Sequence, residues 1–293
     1  MLDQFKKDIF LDEFSCARLS SDKEHNSLIK HFTSRKSLLL PAYLQRFAWT
    51  EDTRNYRAFY LVKEKNRIVC YFSLQCGLLV KCREKLLGGV VGKSVNDRTS
   101  YYIDRDKIEV TSVIPAVELA HFCVNDTYRK KKKTDKIMVG IQEYSIGVYV
   151  FYKYIAPIIL ELSQTVGVQY VYLFCADNGL GQLTKYYTNQ LIFCVMDDMA
   201  CLRPEYDENL ECLTIKITDL ARDVEMFEDK ENIPNVINYL KRNETISNYQ
   251  AARELGIKWP CELFSLMVDH GCAIADTWNG EEKIVRIRQQ RPN

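Results

Sequence analysis

Runs of apolar residues divide this chain into elements before any single side chain is considered. Two runs bounded by polar turn residues predict buried strands at 117–125 and 169–176. Two further runs, 58–62 and 68–74, flank the polar turn 63–67 and predict a hairpin. Helical spacing of apolar residues between the strands indicates a mixed α/β fold.

Other stretches predict helices, connections and a domain boundary. Residues 1–57 are mixed and partly helical, whereas 81–112 are rich in glycine and charge and predict a long connection or a small subelement. The polar, acidic stretch 219–235 predicts a linker. We therefore expect one domain at 1–218 and a second, smaller domain at 236–293.

Charge and hydropathy narrow the class of protein. The formal net charge is +1, which gives no global attraction to nucleic acid or to membranes. No run approaches the roughly 18 apolar residues of a transmembrane helix, because the best candidate carries Lys153, Pro157 and Glu161. The N-terminal residues show no apolar signal-peptide core. We expect a cytoplasmic protein without a membrane partner.

The 11 cysteines predict reduced thiols rather than disulfides or a metal site. Their number is odd, and several lie inside apolar strands, among them Cys70, Cys123 and Cys175. No pair has the spacing of a zinc finger. We therefore predict no metal.

The order hairpin, strand, loop, helix, strand, helix and strand, over about residues 55–217, resembles the acyl-CoA-binding core of the GNAT N-acyltransferases. The resemblance implies a central mixed sheet flanked by helices, in which two neighbouring parallel strands splay apart. It also implies that acetyl-CoA is bound as acyl donor. The amides of its pantetheine would pair with the main chain of the first splayed strand, and its pyrophosphate would meet the next helix N-terminus.

Carried onto this sequence, the resemblance assigns cofactor-binding residues. The main chain of Phe122, Cys123 and Val124 would hold pantetheine, and Gly147 would open the helix that faces the phosphates. Asn178 matches an asparagine that is common after the second strand. The loop before Gly147 departs from the family consensus, with Glu143 near a basic position and Ser145 in place of a glycine.

A basic segment, Arg129 to Lys136, lies in that loop and has three interpretations. Its cations, Lys136 included, could lie near the phosphates of coenzyme A. They could also contact the backbone of a nucleic-acid substrate. The third interpretation is a solvated charged loop without a ligand.

The resemblance also assigns catalytic residues. Residues 183–192 resemble the family motif that carries a tyrosine beside the coenzyme sulfur, which makes Tyr187 a candidate cofactor contact and acid for the departing thiolate. Glu118, on the first core strand, would help to deprotonate the amine. His121 is an alternative base. Strict alternation along the strand predicts that only one of Glu118 and His121 faces the substrate. The alternative for Tyr187 is a tyrosine packed on the sheet.

The C-terminal segment, 236–293, resembles a winged helix-turn-helix. Ser247 is a candidate N-cap, Gly256 a left-handed turn residue and Pro260 the first turn of the next helix. A wing hairpin is predicted to turn at Asn279 and Gly280. The segment lacks a strong basic footprint, so DNA binding, protein docking and a structural role all stay open.

The sequence as a whole predicts a GNAT-type N-acetyltransferase that moves an acetyl group from acetyl-CoA directly to an amine. The acceptor is unknown and could be a small molecule, a protein or an aminoacyl-tRNA, so nucleic acid (tRNA or DNA) is a possible partner. The alternative is a non-catalytic ligand sensor with this fold, coupled to a winged helix that binds DNA or protein. Tyr187, Asn178 and Glu118 favour the enzyme, and the poor match of the phosphate loop favours the sensor.

Overall fold

The computed structural model describes residues 14–84, 108–129, 136–176, 181–195, 199–201 and 210–287. The strands, numbered along the chain, are β1 (Phe14–Arg18), β2 (Ala58–Glu64), β3 (Arg67–Glu84), β4 (Ile108–Val124), β5 (Lys136–Val139), β6 (Gln142–Ser145), β7 (Tyr170–Cys175), β8 (Cys194–Val195), β9 (Met199–Cys201), β10 (Glu211–Lys216), β11 (Thr245–Ser247), β12 (Ala273–Asn279) and β13 (Glu282–Ile287). The α-helices are α1 (His25–Leu28), α2 (Leu39–Tyr43), α3 (Trp49–Thr53), α4 (Asp126–Arg129), α5 (Ile146–Val150), α6 (Ala156–Val166), α7 (Gln182–Gln190), α8 (Ile217–Glu231), α9 (Ile233–Asn243), α10 (Asn248–Leu255) and α11 (Pro260–Asp269).

The main sheet is mixed and has helices on both faces. Its strand order is β1-β2-β3-β4-β7-β10-β8, and β9 pairs with the far end of β3. The β4–β7 ladder is parallel, and the other ladders of this sheet are antiparallel. The predicted fold class, a mixed α/β fold with a central mixed sheet flanked by helices, is confirmed.

The hairpin of β3 and β4 is longer than the sequence predicts. Residues 81–84 and 108–112, which the sequence assigns to a connection, continue these two strands. Their pairing extends to the end of the hairpin, where Glu84 lies opposite Ile108. Residues 81–84 lack the alternating apolar pattern that predicts a strand from sequence, although they pair with residues 108–112 across β3 and β4.

A long apolar helix covers one face of the sheet. Wider π turns at Phe151–Ile155 join α5 to α6, so Ile146–Val166 form one helix of 21 residues. By length and hydropathy this helix could also cross a membrane, yet 56% of its most apolar window is buried inside the protein. Its contacts with the sheet account for its apolar composition.

The segment predicted as a linker is a helix, so that prediction is wrong. In α8, Leu220, Val224 and Phe227 lie at helical spacing and are buried in the main core. Of the acidic residues that suggest a linker, Asp219 and Glu228 are exposed, whereas Asp229 is buried. Helix α9 begins directly after it, with Pro234 in its first turn.

The C-terminal segment has a hydrophobic core of its own. Helices α9, α10 and α11 pack on a three-stranded sheet of order β11-β13-β12. Ser247 caps α10 in a capping box with Gln250, Gly256 is left-handed, and Pro260 stands in the first turn of α11. The three local predictions for this segment are confirmed.

Candidate functional site

Strands β4 and β7 separate after only three residue pairs. The last pair is Glu118 with Tyr172, whereas β4 continues to Val124 and β7 to Cys175. Within the described ranges, no strand pairs with the β7 side of β4 beyond Glu118. A gap lined by main-chain groups therefore opens between two parallel strands, as the GNAT resemblance implies.

The main chain of β4 points into this gap at Phe122 and Val124. The N–H of Asn125 donates to the carbonyl of Val69 on β3 at 2.9 Å. Because successive peptide groups alternate along a strand, Cys123 also faces β3, and its two neighbours face the gap. The side chain of Cys123 is buried under the N-terminal helices. Two of the three predicted pantetheine contacts thus direct their main-chain groups toward the gap.

The amino end of the long helix lies beside the gap. Ser145 is its N-cap, and the hydroxyl accepts a hydrogen bond from the N–H of Val148 at 3.3 Å. A Cβ atom on Gly147 would stand 2.4 Å from the hydroxyl of Tyr186 and 3.7 Å from the ring of Phe122. Gly147 lies at the start of the helix as the sequence predicts, and only a glycine allows Tyr186 so close.

Arg129 brings an unpaired positive group to the same region. Its Nη1 atom is buried and has no hydrogen-bond partner among the described residues. Burial raises the pKa of Tyr186, whereas the Ser145 side chain and the positive charge of Arg129 lower it. A buried guanidinium N–H without a partner is rare in proteins and suits an anionic ligand.

The predicted phosphate loop contains a second hairpin. Strands β5 and β6 pair from Lys136–Ser145 to Val139–Gln142. Lys136 forms an ion pair with Glu143, and its side chain is 68% exposed. Lys136 therefore lies on the surface of the hairpin. Asn178 and the lysines 130–133 fall outside the described residues.

Tyr187 lies in the main core. Its ring packs edge-on against Phe193 and Tyr186, 5.9 and 5.3 Å between centroids. Burial raises the pKa of its hydroxyl. Among the described residues, none of the hydrogen bonds involves this hydroxyl. This environment suits both interpretations of Tyr187, a packed tyrosine and a protonated acid that awaits a partner.

Glu118 is 9% exposed and accepts two hydrogen bonds on one oxygen. Its Oε2 atom accepts from Nε2 of Gln75 at 2.6 Å and from the hydroxyl of Tyr172 at 3.0 Å. Tyr172 reaches it by crossing Gly77, where a Cβ would stand 2.2 Å from the tyrosine hydroxyl. Glu118 is therefore a held carboxylate at the point where the strands part.

His121 lies on the same face of β4 as Glu118, so the prediction of opposite faces is wrong. A bulge shifts the register between the pairs Ser73–His121 and Leu74–Leu119, which leaves Ala120 as the extra residue. His121 Nδ1 lies 2.7 Å from the Ser73 hydroxyl. Burial lowers its pKa to about 3, and the charge of Arg57 acts in the same direction. His121 is thus neutral at physiological pH.

The C-terminal module is docked through the amino end of α11. The carboxylate of Asp229 on α8 accepts from the N–H of Lys258 at 3.0 Å and of Trp259 at 2.6 Å. The Trp259 indole donates to Glu225 at 3.1 Å, and Arg222 lies 5.0 Å above its ring. If the predicted helix-turn-helix is present, α11 is its second helix, which a DNA reader inserts into the major groove, and the amino end of α11 packs against α8.

Potential metal-binding side chains are scattered over the described part of the chain. No cluster of three or more His, Cys, Asp or Glu side chains there could hold a metal ion. Cys70 and Cys123 are free thiols, and both are buried.

Comparison with known proteins yields distant structural likenesses only. No protein-family model matches the chain, and no curated protein matches its sequence. A mutant of the AtaT toxin covers 72% of this chain and 93% of its own at 12% identity, with a TM-score of 0.48. A structure of AtaTR bound with acetyl-CoA covers 72% of this chain and 98% of its own at 13% identity, with a TM-score of 0.45. A KacTA–DNA complex covers 74% of this chain and 99% of its own at 13% identity, with a TM-score of 0.42. All three TM-scores are below 0.5, and the fold is therefore assigned from the strand topology.

Proposed function

We propose that this chain is a cytoplasmic GNAT-type N-acyltransferase that moves an acetyl group from acetyl-CoA directly to an amine. One observation carries the proposal. Two parallel strands part after Glu118, the amino end of the long helix lies beside the gap between them, and Arg129, at the end of the short helix α4 that follows β4, has a buried Nη1 atom without a partner among the described residues. A thioester with a long amide-containing arm and a pyrophosphate fits such a gap.

The residues of this chain would divide the binding of acetyl-CoA between them. The main chain of Phe122 and Val124 offers donors and acceptors to the amides of the arm. The amino end of the long helix and Arg129 offer positive charge to the phosphates, with the Tyr186 hydroxyl as a further donor. The fit rests on the buried, unpartnered Nη1 atom of Arg129. The bound cofactor supplies the thioester whose acetyl group is transferred.

Two side chains would move protons. An ammonium group cannot attack a thioester until it loses a proton, and we assign that proton to Glu118, directly or through water. Tyr187 is the proposed donor of a proton to the departing thiolate. Burial raises its pKa, so the hydroxyl is protonated at neutral pH as that role requires. His121, neutral and packed against the Tyr43 ring with 4.5 Å between the ring centroids, is the weaker candidate for the base.

We assign the C-terminal module to the winged-helix type and give it a structural role. The order of its helices and strands supports that type. A sensor that reads DNA through α11 is disfavoured, because Asp229 and Glu225 cover the amino end of that helix. Nucleic acid stays a possible partner only as part of an acceptor, such as an aminoacyl-tRNA.

Calorimetric titration with acetyl-CoA tests the proposal. We expect micromolar binding by the wild-type protein and a loss of about 10- to 100-fold in Arg129→Ala, the usual value of hydrogen bonds to a charged group. Gly147→Glu should abolish binding, and Lys136→Ala, a change of an exposed lysine, is the matched control. Circular dichroism checks that each variant is folded.

Two outcomes decide between the interpretations. Binding that Arg129→Ala weakens and Lys136→Ala does not would support the site, and Tyr187→Phe would then be assayed for slower transfer to a panel of amines. No binding at millimolar acetyl-CoA would refute the proposed acetyltransferase function.

A further inference from the structure

A chain of hydrogen bonds leads from the N-terminal helices to Glu118. Nε of Arg57 donates to Oε1 of Gln75 at 2.8 Å, and Nε2 of Gln75 donates to Oε2 of Glu118 at 2.6 Å. Arg57 immediately precedes β2, and Gln75 and Glu118 face each other across β3 and β4. Gln75 and Glu118 are thus held by paired strands of the sheet, and Arg57 lies one residue before the sheet.

Arg57 determines which way the Gln75 amide points. A guanidinium group can only donate hydrogen bonds, so the amide oxygen must face Arg57 and the NH₂ group must face Glu118. The reversed amide would place its oxygen against a carboxylate oxygen and its NH₂ group against Arg57. Both contacts of the reversed amide are repulsive. Because Arg57 donates to the amide oxygen, the NH₂ group of Gln75 is left to donate to Glu118.

Arg57 is itself held in place on its other side. Its Nη1 atom donates to the Tyr43 hydroxyl at 2.9 Å and to Oε2 of Glu51 at 3.1 Å, and Tyr43 also donates to Glu51. Glu51 compensates the charge of Arg57, and the ion pair is only about one-fifth exposed. The influence of Arg57 on Glu118 therefore passes mainly through the orientation of Gln75.

The two donors to Glu118 leave its carboxylate asymmetric. Gln75 and Tyr172 both donate to Oε2. Oε1 takes part in none of the hydrogen bonds between described residues. A carboxylate with one oxygen fully engaged keeps its other lone pairs in a fixed direction for a further donor.

We propose that Arg57 is a positioning residue, which acts through Gln75 to direct Oε1 of Glu118 toward the acceptor amine. The inference rests on the proposed acetyl transfer and identifies the oxygen that receives the amine proton. Gln75 is the second positioning residue. Neither side chain is assigned a contact with acetyl-CoA.

Kinetics and a spectroscopic measurement test this inference together. Arg57→Leu should lower kcat for the amine about 10-fold, the value of one lost charge-assisted hydrogen bond, with unchanged affinity for acetyl-CoA. Arg57→Lys, which keeps a donor, should recover part of the loss. Arg54→Leu is the matched control because Arg54 is exposed and only three residues away.

The side-chain amide of Gln75 supplies a readout that does not depend on activity. Its two NH₂ resonances, assigned through their loss in Gln75→Leu, should be slow to exchange in the wild type and in Arg54→Leu. They should shift and exchange at least ~10-fold faster in Arg57→Leu. Wild-type kcat in Arg57→Leu, or unchanged Gln75 resonances, would overturn the inference.

Failure of the proposed function would look different. A wild-type protein that binds no acetyl-CoA, yet whose Gln75 resonances respond to Arg57→Leu, would refute acetyl transfer and reduce the hydrogen-bonded chain to a structural feature. That result overturns the positioning role as well. A protein that transfers acetyl groups equally well with and without Arg57 would overturn the positioning role alone.

Discussion

Replacing Asp229 by alanine should undock the C-terminal module from α8. The carboxylate is only 2% exposed and accepts the N–H groups of Lys258 and Trp259. Burial raises the pKa of this carboxyl, and the two backbone hydrogen bonds act in the opposite direction. Asp229→Ala removes both acceptors and leaves two N–H groups at the start of α11 without their partner.

The expected cost follows from those two bonds. A hydrogen bond to a charged group contributes about 1.5–3 kcal/mol, and part of the loss is offset because a charge no longer has to be buried. Measured losses of helix N-caps are about 0.5–2 kcal/mol. We expect roughly 2–3 kcal/mol for Asp229→Ala from these two ranges. Asp229→Asn keeps one acceptor and should lose about half of that.

Hydrogen exchange measured by mass spectrometry reports the local stability of α11, where the cost of Asp229→Ala is expected. A cost of about 2–3 kcal/mol corresponds to roughly 30- to 150-fold faster exchange of the α11 amides, if they exchange through local opening. Glu228→Ala is the control, because it removes only the exposed ion pair with Lys258 and should cost at most about 0.5 kcal/mol. Equal exchange in Asp229→Ala and Glu228→Ala would refute the docking role of Asp229.

Two further predictions concern the β4 region. Since the pKa of His121 is about 3 in the folded protein and about 6.5 when unfolded, its neutral form stabilises the fold above pH 6.5, and that contribution is lost as the pH falls toward 3. When the pH is lowered from 6.5 to 5, the free energy of unfolding should fall by about 2 kcal/mol more in the wild type than in His121→Phe. Denaturant unfolding measures both values, and an equal pH dependence in the two proteins would contradict the prediction. Gly77→Ala should destabilise the protein by about 1–3 kcal/mol, because its Cβ displaces the hydroxyl of Tyr172. In a Tyr172→Ala background, which removes the ring carbons at 2.4 and 2.7 Å as well as the hydroxyl, the same change should cost less, and an equal cost in a double-mutant cycle would contradict the clash.

The elements that the sequence predicts correctly are those whose patterns are local. The hairpin of β2 and β3, the buried strand β7 and the N-cap at Ser247 depend on neighbours along the chain. Periodicity and cap chemistry carry that information. The order of these elements along the chain, through its resemblance to the GNAT core, predicted the mixed sheet.

Features that depend on distant partners could not be predicted in this way. The bulge at Ala120 leaves no mark on composition, yet it brings Glu118 and His121 to one face. Helix α8 resembles a linker in sequence because acidic residues dominate its composition, and its burial depends on partners far along the chain. Arg129 is visible in the sequence only as one of several basic residues, and its buried, unpartnered Nη1 atom appears only in three dimensions.

The departures from the family consensus before Gly147 have a structural cause in the hairpin of β5 and β6. Glu143, at a position where the family is basic, forms the ion pair with Lys136 across that hairpin. Ser145, which replaces a glycine, caps the long helix. Both residues are therefore explained by local structure, and neither supplies positive charge to a phosphate. If acetyl-CoA binds, that charge must come from elsewhere in the fold, which is why Arg129 rather than Lys136 is the decisive variant.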